Sequence, residues 1–233
     1  NTPGGFGEFI NVPVGWVVKK PDNLTSLEAM SIGTAGLTAA ASVLKIYESS
    51  KESDLPVLVS GATGGVGSIA VMLMSKLGKE VSALTGKSSS VDFLKSIGAT
   101  SVIMRDEYLD SPSKAMERPL FSCAIDTVGG NVLSKMLPQI SSHGVVACCG
   151  NVAGIEVNTT VFPFILRGIS LCGIDSAESA IDFKSSIWQK FADEWKLDFS
   201  SIIKIVTKEN LQPEIDLILK GGQKGRVVLT HGE

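Results

Sequence analysis

Residues 55–70 read Leu55-Pro56-Val57-Leu58-Val59-Ser60-Gly61-Ala62-Thr63-Gly64-Gly65-Val66-Gly67-Ser68-Ile69-Ala70, an apolar run that enters a glycine-rich turn and then a helical pattern. A bound pyrophosphate needs close backbone approach, free N–H groups and the positive end of a helix, and this arrangement offers all three. The spacing Gly61-x-x-Gly64-x-x-Gly67 departs from Gly-x-Gly-x-x-Gly, although its last two glycines keep the required offset. A glycine triplet alone fits any tight strand-to-helix turn. The repeated pattern beyond it is what favours a dinucleotide site.

That pattern runs to about Gly173. Apolar runs at Pro56 to Ser60, Glu80 to Leu84, Ser101 to Met104, Ser122 to Asp126, Val145 to Cys148 and Ile169 to Gly173 read as strands. Helices are expected between them, at Val66 to Leu77, stopped by Gly78, and at Val91 to Ile97, stopped by Gly98. Alternating strands and helices predict an α/β fold with a doubly wound parallel sheet; order 3-2-1-4-5-6 is what a dinucleotide-binding domain would have.

The flanks read differently. Residues 1–27 carry Gly4, Gly5, Gly7, Pro13, Gly15 and Pro21, and Gly7 to Val12 alternates in polarity, so turns and short antiparallel strands are expected. A helix opened by Ser26 with Glu28 should run through Ala29 to Leu44. After Gly173 a helix over Phe183 to Trp195, a strand at Ile202 to Val206, a helix over Glu214 to Lys220 and a closing strand at Arg226 to Thr230 are expected.

Composition excludes several classes. The 233 residues are 44% hydrophobic and 19% charged, and 21 Lys and Arg against 24 Asp and Glu leave a net charge of -3, without the basic excess that nucleic-acid binding calls for. The length exceeds the roughly 100 to 150 residues of a common domain and falls short of two generous ones. No uncharged apolar run approaches a membrane span and no secretion signal opens the chain. Cys123, Cys148, Cys149 and Cys172 lack Cys-x-x-Cys spacing and are expected as reduced thiols in a cytoplasmic protein. His143 and His231 are too few for a metal constellation and are expected on the surface. A non-Met start, Asn1, suggests residues upstream.

The second strand bears on which dinucleotide. An NAD site would place Asp or Glu at its end to accept the ribose hydroxyls, whereas a 2'-phosphate prefers a cation. The sequence there is Leu84-Thr85-Gly86-Lys87-Ser88-Ser89, with no acid, so NADP(H) is expected over NAD. Asp126 either faces the cofactor crevice or caps the following helix, capping being preferred. Arg226 either reaches a phosphate or carboxamide or guards the end of a strand.

These motifs, with Phe162-Pro163-Phe164-Ile165-Leu166-Arg167-Gly168-Ile169, Gly173-Ile174-Asp175-Ser176, Gly33-Thr34-Ala35-Gly36-Leu37-Thr38-Ala39, Leu94 to Ala99, Arg105-Asp106-Glu107 and Ala124 to Gly129, give the chain its resemblance. It resembles the zinc-free quinone oxidoreductase-like branch of the medium-chain dehydrogenase/reductases, in particular the acrylyl-CoA reductase group. The resemblance implies a Rossmann domain and a GroES-like catalytic domain enclosing NADPH. It divides this chain into the end of the catalytic domain over 1–27, the NADP-binding domain over 28–176, and a segment over 177–233 that returns to the catalytic domain.

The resemblance also places cofactor contacts on Thr63, Gly64, Gly65 and Val66, 2'-phosphate contacts on Thr85, Gly86 and Lys87, and further contacts on Arg105, Leu171 and Arg226. The group commonly shows Ser-Gly-Arg at the 2'-phosphate position; Thr and Lys here keep the hydroxyl and the charge but lose the bidentate fork. The implied reaction is hydride delivery to the β-carbon of an α,β-unsaturated thioester, with a quinone or enone reductase, or a non-catalytic NADPH-binding fragment, as alternatives. No catalytic residue is assigned, and neither Tyr47 nor Tyr108 is expected in the cleft. A homodimer through the sheet edge, with Phe162 to Ile174 as an apolar pairing segment, is implied as well.

Overall fold

The computed structural model describes residues 5–51 and 53–232. The elements, in order, are α1 (Ser26–Ser49), β1 (Val57–Ser60), α2 (Gly65–Lys76), β2 (Val81–Thr85), α3 (Val91–Ser96), β3 (Ser101–Met104), α4 (Arg105–Asp110), β4 (Ala124–Asp126), α5 (Gly130–Met136), β5 (Val145–Cys148), α6 (Phe162–Arg167), β6 (Ser170–Gly173), α7 (Ile181–Ala192), β7 (Ile203–Val206), α8 (Leu211–Leu219) and β8 (Arg226–Leu229). All six strands from β1 to β6 are parallel, in the order β3-β2-β1-β4-β5-β6. This is the doubly wound α/β sheet that the sequence pattern predicts.

Alternation along each strand feeds two cores. Val57 and Val59 of β1 face a cluster built with α1, α2, α3 and α7, while Leu58 faces a second cluster with Tyr108, Val132, Leu133 and Met136. Both faces are covered, which is why the central strands are buried throughout and read as continuous apolar runs. Each fully buried Leu or Ile contributes about 1.5–3 kcal/mol relative to an exposed one.

Helix α1 starts at the expected Ser26, but its cap is the residue before. Thr25 is the cap: its hydroxyl accepts from the Glu28 N–H at 3.1 Å, and a Glu28 carboxylate oxygen accepts from the Thr25 N–H at 2.7 Å. The reciprocal pair needs a three-residue offset, and Ser26 lies only two from Glu28. The helix runs on to Ser49, past the expected Leu44, and is broken internally at Gly33, where φ is 47° and ψ -156°. Its length and hydropathy would suffice to cross a bilayer, yet 61% of the apolar window is buried in the fold, against α2 and β5.

Two expectations on the flanks are corrected. Gly7 to Val12 forms no strand; between Gly5 and Thr25 the only regular piece is a 3-10 turn at Val14–Trp16, and Phe9 is 92% exposed. Alternating polarity makes a strand only where a neighbouring strand accepts the ladder, and none pairs with this segment among the described residues. The expected turns at residues 1–4 lie outside them. Phe162 to Ile174 is not one extended segment: Phe162–Arg167 is helical, closed by Gly168 in the left-handed region at φ 59°, and only Ser170–Gly173 extends as the edge strand β6. Pro163 in the first turn of α6 suits a helix start, where its missing N–H costs nothing.

Beyond α7, β7 and β8 pair in parallel as a separate two-stranded sheet with α8 between them. Phe191, Trp195, Leu197, Phe199 and Ile202 enter the same core as α1 and α2.

Candidate cofactor site

The carboxyl ends of β1, β2 and β4 open onto a cleft of about 360 Å³, lined by Gly61 and Thr63 after β1, Leu84 to Lys87 at β2, Arg105 after β3 and Val128 after β4. Lys220 and Gly221, from the far end of the chain, form its other wall. Ligand crevices in open α/β sheets lie at this point, where the strand order reverses between β1 and β4.

The glycine turn is held by the Gly64 N–H on the Gly61 carbonyl at 2.9 Å, and α2 begins at Gly65 with no side chain capping it. The first-turn N–H groups of a helix have no intrahelical partners, so an uncapped start presents donors and the positive end of the dipole. Arg226 adds a cation there. Its Nη1 lies 3.1 Å from where a Cβ on Gly65 would stand, and its Nη2 2.7 Å from one on Gly33. Burial lowers its pKa, and no carboxylate stands within ion-pair distance among the described residues. Arg226 thus lies against the start of α2 and the Gly33 break, with its Nε on the Ser31 carbonyl.

At β2, the Thr85 hydroxyl accepts from the Lys87 N–H at 3.1 Å and shapes the turn, so the hydroxyl organises the loop that presents the lysine. Gly86 leaves room for Arg105, whose guanidinium carbon would come 2.9 Å from a Cβ at that position. Arg105 also pairs with its neighbour Asp106 at 2.9 Å. Lys87 is half-buried; its ammonium donates to the Gln223 carbonyl, and burial followed by the charge of Lys224 holds its pKa below the usual lysine range. Uncapped amides, Arg226, Lys87 and Arg105 thus fit a dinucleotide carrying a 2'-phosphate, with no acid at the end of β2.

The remaining residues are placed as follows. Thr63 lines the cleft, and Gly64, Gly65 and Val66 form the turn and the start of α2 beside it. Leu171 is not brought to the cleft: it sits in mid-β6 opposite Val146, 36% exposed, two residues short of the strand end where the crevice opens. Asp126 is fully buried behind the turn, accepting from Ser60 Oγ at 2.6 Å and the Gly129 N–H at 2.9 Å. It braces the turn ahead of α5 but does not cap the helix, whose N-cap is Gly129 without a side-chain bond. Burial pushes its carboxyl above the usual range despite those bonds. Tyr108 is buried with its hydroxyl on Gln139 at 2.6 Å, and Tyr47 lines a separate cavity beside Lys51 and Lys79, so neither faces the cleft. His143 and His231 are exposed, and all four cysteines are free.

Three features escaped sequence reasoning: Lys220, Gly221 and the Gly33 break. The run Lys220-Gly221-Gly222-Gln223-Lys224-Gly225 signals a turn, but nothing local says that it folds over β2.

Known proteins share this architecture. The zinc-binding dehydrogenase family pattern matches residues 65–195. The chain is 40% identical over 229 residues to the putative quinone oxidoreductase YhfP of Bacillus subtilis, covering 97% of this chain and 69% of that protein. It is 36% identical over 228 residues to the acrylyl-CoA reductase AcuI of Ruegeria pomeroyi, again 97% and 69%. The crystal structure of Escherichia coli K-12 YhdH with bound NADPH matches with a TM-score of 0.92 at 36% identity, covering 98% of this chain and 71% of that one. YhfP was crystallised with NAD and matches with a TM-score of 0.90 over 94% of this chain and 68% of its own. On the sheet order, the uncapped glycine turn and these likenesses, the chain belongs to the zinc-binding dehydrogenase family, in the quinone oxidoreductase-like branch of the medium-chain dehydrogenase/reductases.

Proposed function

We propose that the chain is the cofactor-binding part of an NADPH-dependent reductase acting on the C=C bond of an α,β-unsaturated thioester of the acrylyl-CoA kind. The carrying observation is Lys87 at the carboxyl end of a second strand that bears no acid, where a ribose-binding carboxylate would favour NAD, with Arg105 packed on Gly86 from the end of β3. The uncapped start of α2 and Arg226 are suited to the pyrophosphate, Lys87 and Arg105 to the 2'-phosphate. NADPH, when bound, supplies the hydride. The chain's own residues fix where the dinucleotide lies. No catalytic residue is assigned.

The substrate class is supported by the relatives named acrylyl-CoA reductase, at 36% and 37% identity. YhfP, at 40%, favours a second reading, a quinone or enone reductase using the same site. NADPH absorbance followed after adding acrylyl-CoA or a simple quinone separates the two; loss with the thioester is expected, and loss with the quinone alone overturns the substrate. Titration with NADPH and NADH tests the cofactor, and tighter NADH binding would refute it. NADPH binding without turnover of either substrate would leave a non-catalytic binding module.

The division at 27 and 176, with residues 177–233 returning to a catalytic domain, belongs to this reading, as does a cytoplasmic setting suited to four free thiols. So does a homodimer through the β6 edge, beside which Ile165 and Leu166 of α6 are 67% and 64% exposed. Sedimentation at micromolar concentration should show twice the chain mass; a monomer there would remove the dimer from the proposal.

A further inference from the structure

We propose that Lys224, on the 220–225 loop whose Lys220 and Gly221 wall the cleft, is a second cation for the 2'-phosphate, reaching across to the Lys87–Ser89 loop and setting the preference between phosphorylated and unphosphorylated cofactor. The inference rests on the NADPH reading above and assigns the preference to a segment whose contacts with the Lys87 loop span 135 and 136 residues of chain.

The loop joins α8 to β8 and is tied down at both ends. Gly221 and Gly222 close α8 through their N–H groups on the Ile218 and Leu217 carbonyls, each at 2.9 Å. Gly225 donates its N–H to the Thr63 carbonyl of the glycine turn at 2.8 Å, and Arg226 to the Ile202 carbonyl at 2.7 Å. A loop bonded to the phosphate turn itself cannot drift from the cleft without breaking that contact.

Across the mouth, two lysine contacts cross. The Lys87 ammonium donates to the Gln223 carbonyl, and Lys224 Nζ donates to the Ser89 carbonyl at 3.1 Å. Each ammonium reaches only a neutral backbone oxygen of the other's loop. Among the described residues, none of Lys87, Lys220 and Lys224 has a carboxylate within ion-pair distance. Two like charges are therefore held close enough for Lys224 to depress the pKa of Lys87, with Lys220 lining the same cleft. Like charges brought together without a counter-ion oppose each other, and a dianionic phosphate between them would remove that opposition while using their remaining donors. NADH, with a ribose hydroxyl there, offers no such charge. Were Lys224 only a strut pinning the loop to Ser89, its loss would lower stability and weaken both cofactors alike.

The test is titration of the 233-residue chain and its K224Q, K224R and K87Q variants with NADPH and NADH, alongside thermal unfolding. For K224Q the expected result is NADPH binding weakened about ten- to a hundredfold, the range of one charge-assisted contact, with NADH changed less than about twofold and K224R close to the parent. The exposed position of Lys224 makes an unchanged unfolding temperature the expected control. Equal weakening of both cofactors, or none, overturns the proposal. If the parent chain shows no NADPH preference, the cofactor reading itself fails; if it does and K87Q removes the preference while K224Q leaves it intact, only the role of Lys224 fails.

Discussion

Arg226 Nε donates to the Ser31 carbonyl at 3.0 Å, through the break that Gly33 makes in α1. The break turns a helical carbonyl into an acceptor for a side chain from β8, and the same guanidinium reaches the start of α2. Residues 195 apart along the chain thereby set one corner of the cleft.

On the proposed function, Arg226 meets the part common to both dinucleotides. Replacing it with Ala is expected to weaken NADPH and NADH by similar factors, about 1.5–3 kcal/mol each for a lost contact to a charged group. Selective loss of NADPH in parallel titrations would move Arg226 to the 2'-phosphate.

Lys87 should discriminate. Lys87→Glu is expected to weaken NADPH by about 1–3 kcal/mol and leave NADH nearly unchanged, since it exchanges a charge-assisted contact for repulsion. Because the Lys87 ammonium is held below the usual lysine pKa, it loses its charge earlier than an ordinary lysine as pH rises. The preference for NADPH should therefore decline on the alkaline side before free lysine titrates, and NADPH binding there should take up protons, measurable by calorimetry in buffers of different ionisation enthalpy.

Asp126 predicts a pH dependence of stability. Its carboxyl is lifted by burial above the usual 3.8, so the native state holds the proton more tightly than the unfolded chain. The stability from that proton is fully present below 3.8 and is lost as pH rises through the raised native value. Asp126→Asn, which does not titrate, should thus gain stability relative to the parent across that interval, on top of a constant offset from its altered hydrogen bonds. Urea unfolding at a series of pH values checks this; a pH-independent difference contradicts it.

Gly67 tests the packing of the glycine turn. A Cβ there would lie 2.3 Å from the Gly61 carbonyl oxygen and 2.8 Å from Ala62 Cα, both backbone atoms. Gly67→Ala should cost about 1–3 kcal/mol by overpacking. Gly173→Ala, where a Cβ meets nothing within 4 Å and φ is not positive, should stay within about 0.5 kcal/mol in the same thermal unfolding series.

The six parallel strands were legible because each lies in a short, mostly apolar run, buried in β1, β2, β4 and most of β5 and more exposed in the edge strands β3 and β6, and their boundaries fall within two residues of expectation. The stops at Gly78 and Gly98 were legible for a local reason: both adopt positive φ, at 76° and 109°, where glycine carries no Cβ penalty. Short helices such as α4 and α5 were not, since six or seven residues hold too little period to separate from a turn. The N-terminal alternation misled because a strand is completed by its neighbour, not by its own sequence.

The residues of the chain by themselves determined the layered α/β fold, the glycine turn and the missing acid after the second strand. These are properties of short contiguous stretches, in which side-chain period, φ and charge act within a few residues. Only the tertiary structure decided that Arg226 enters the corner made by Ser31 and Gly33, that the loop carrying Lys220 and Lys224 meets the loop of Lys87 and Ser89, and that Leu171 stays on the sheet edge. The first two relations join segments more than a hundred residues apart, and which distant loops meet is fixed by how the helices and the second sheet pack, which no local pattern encodes.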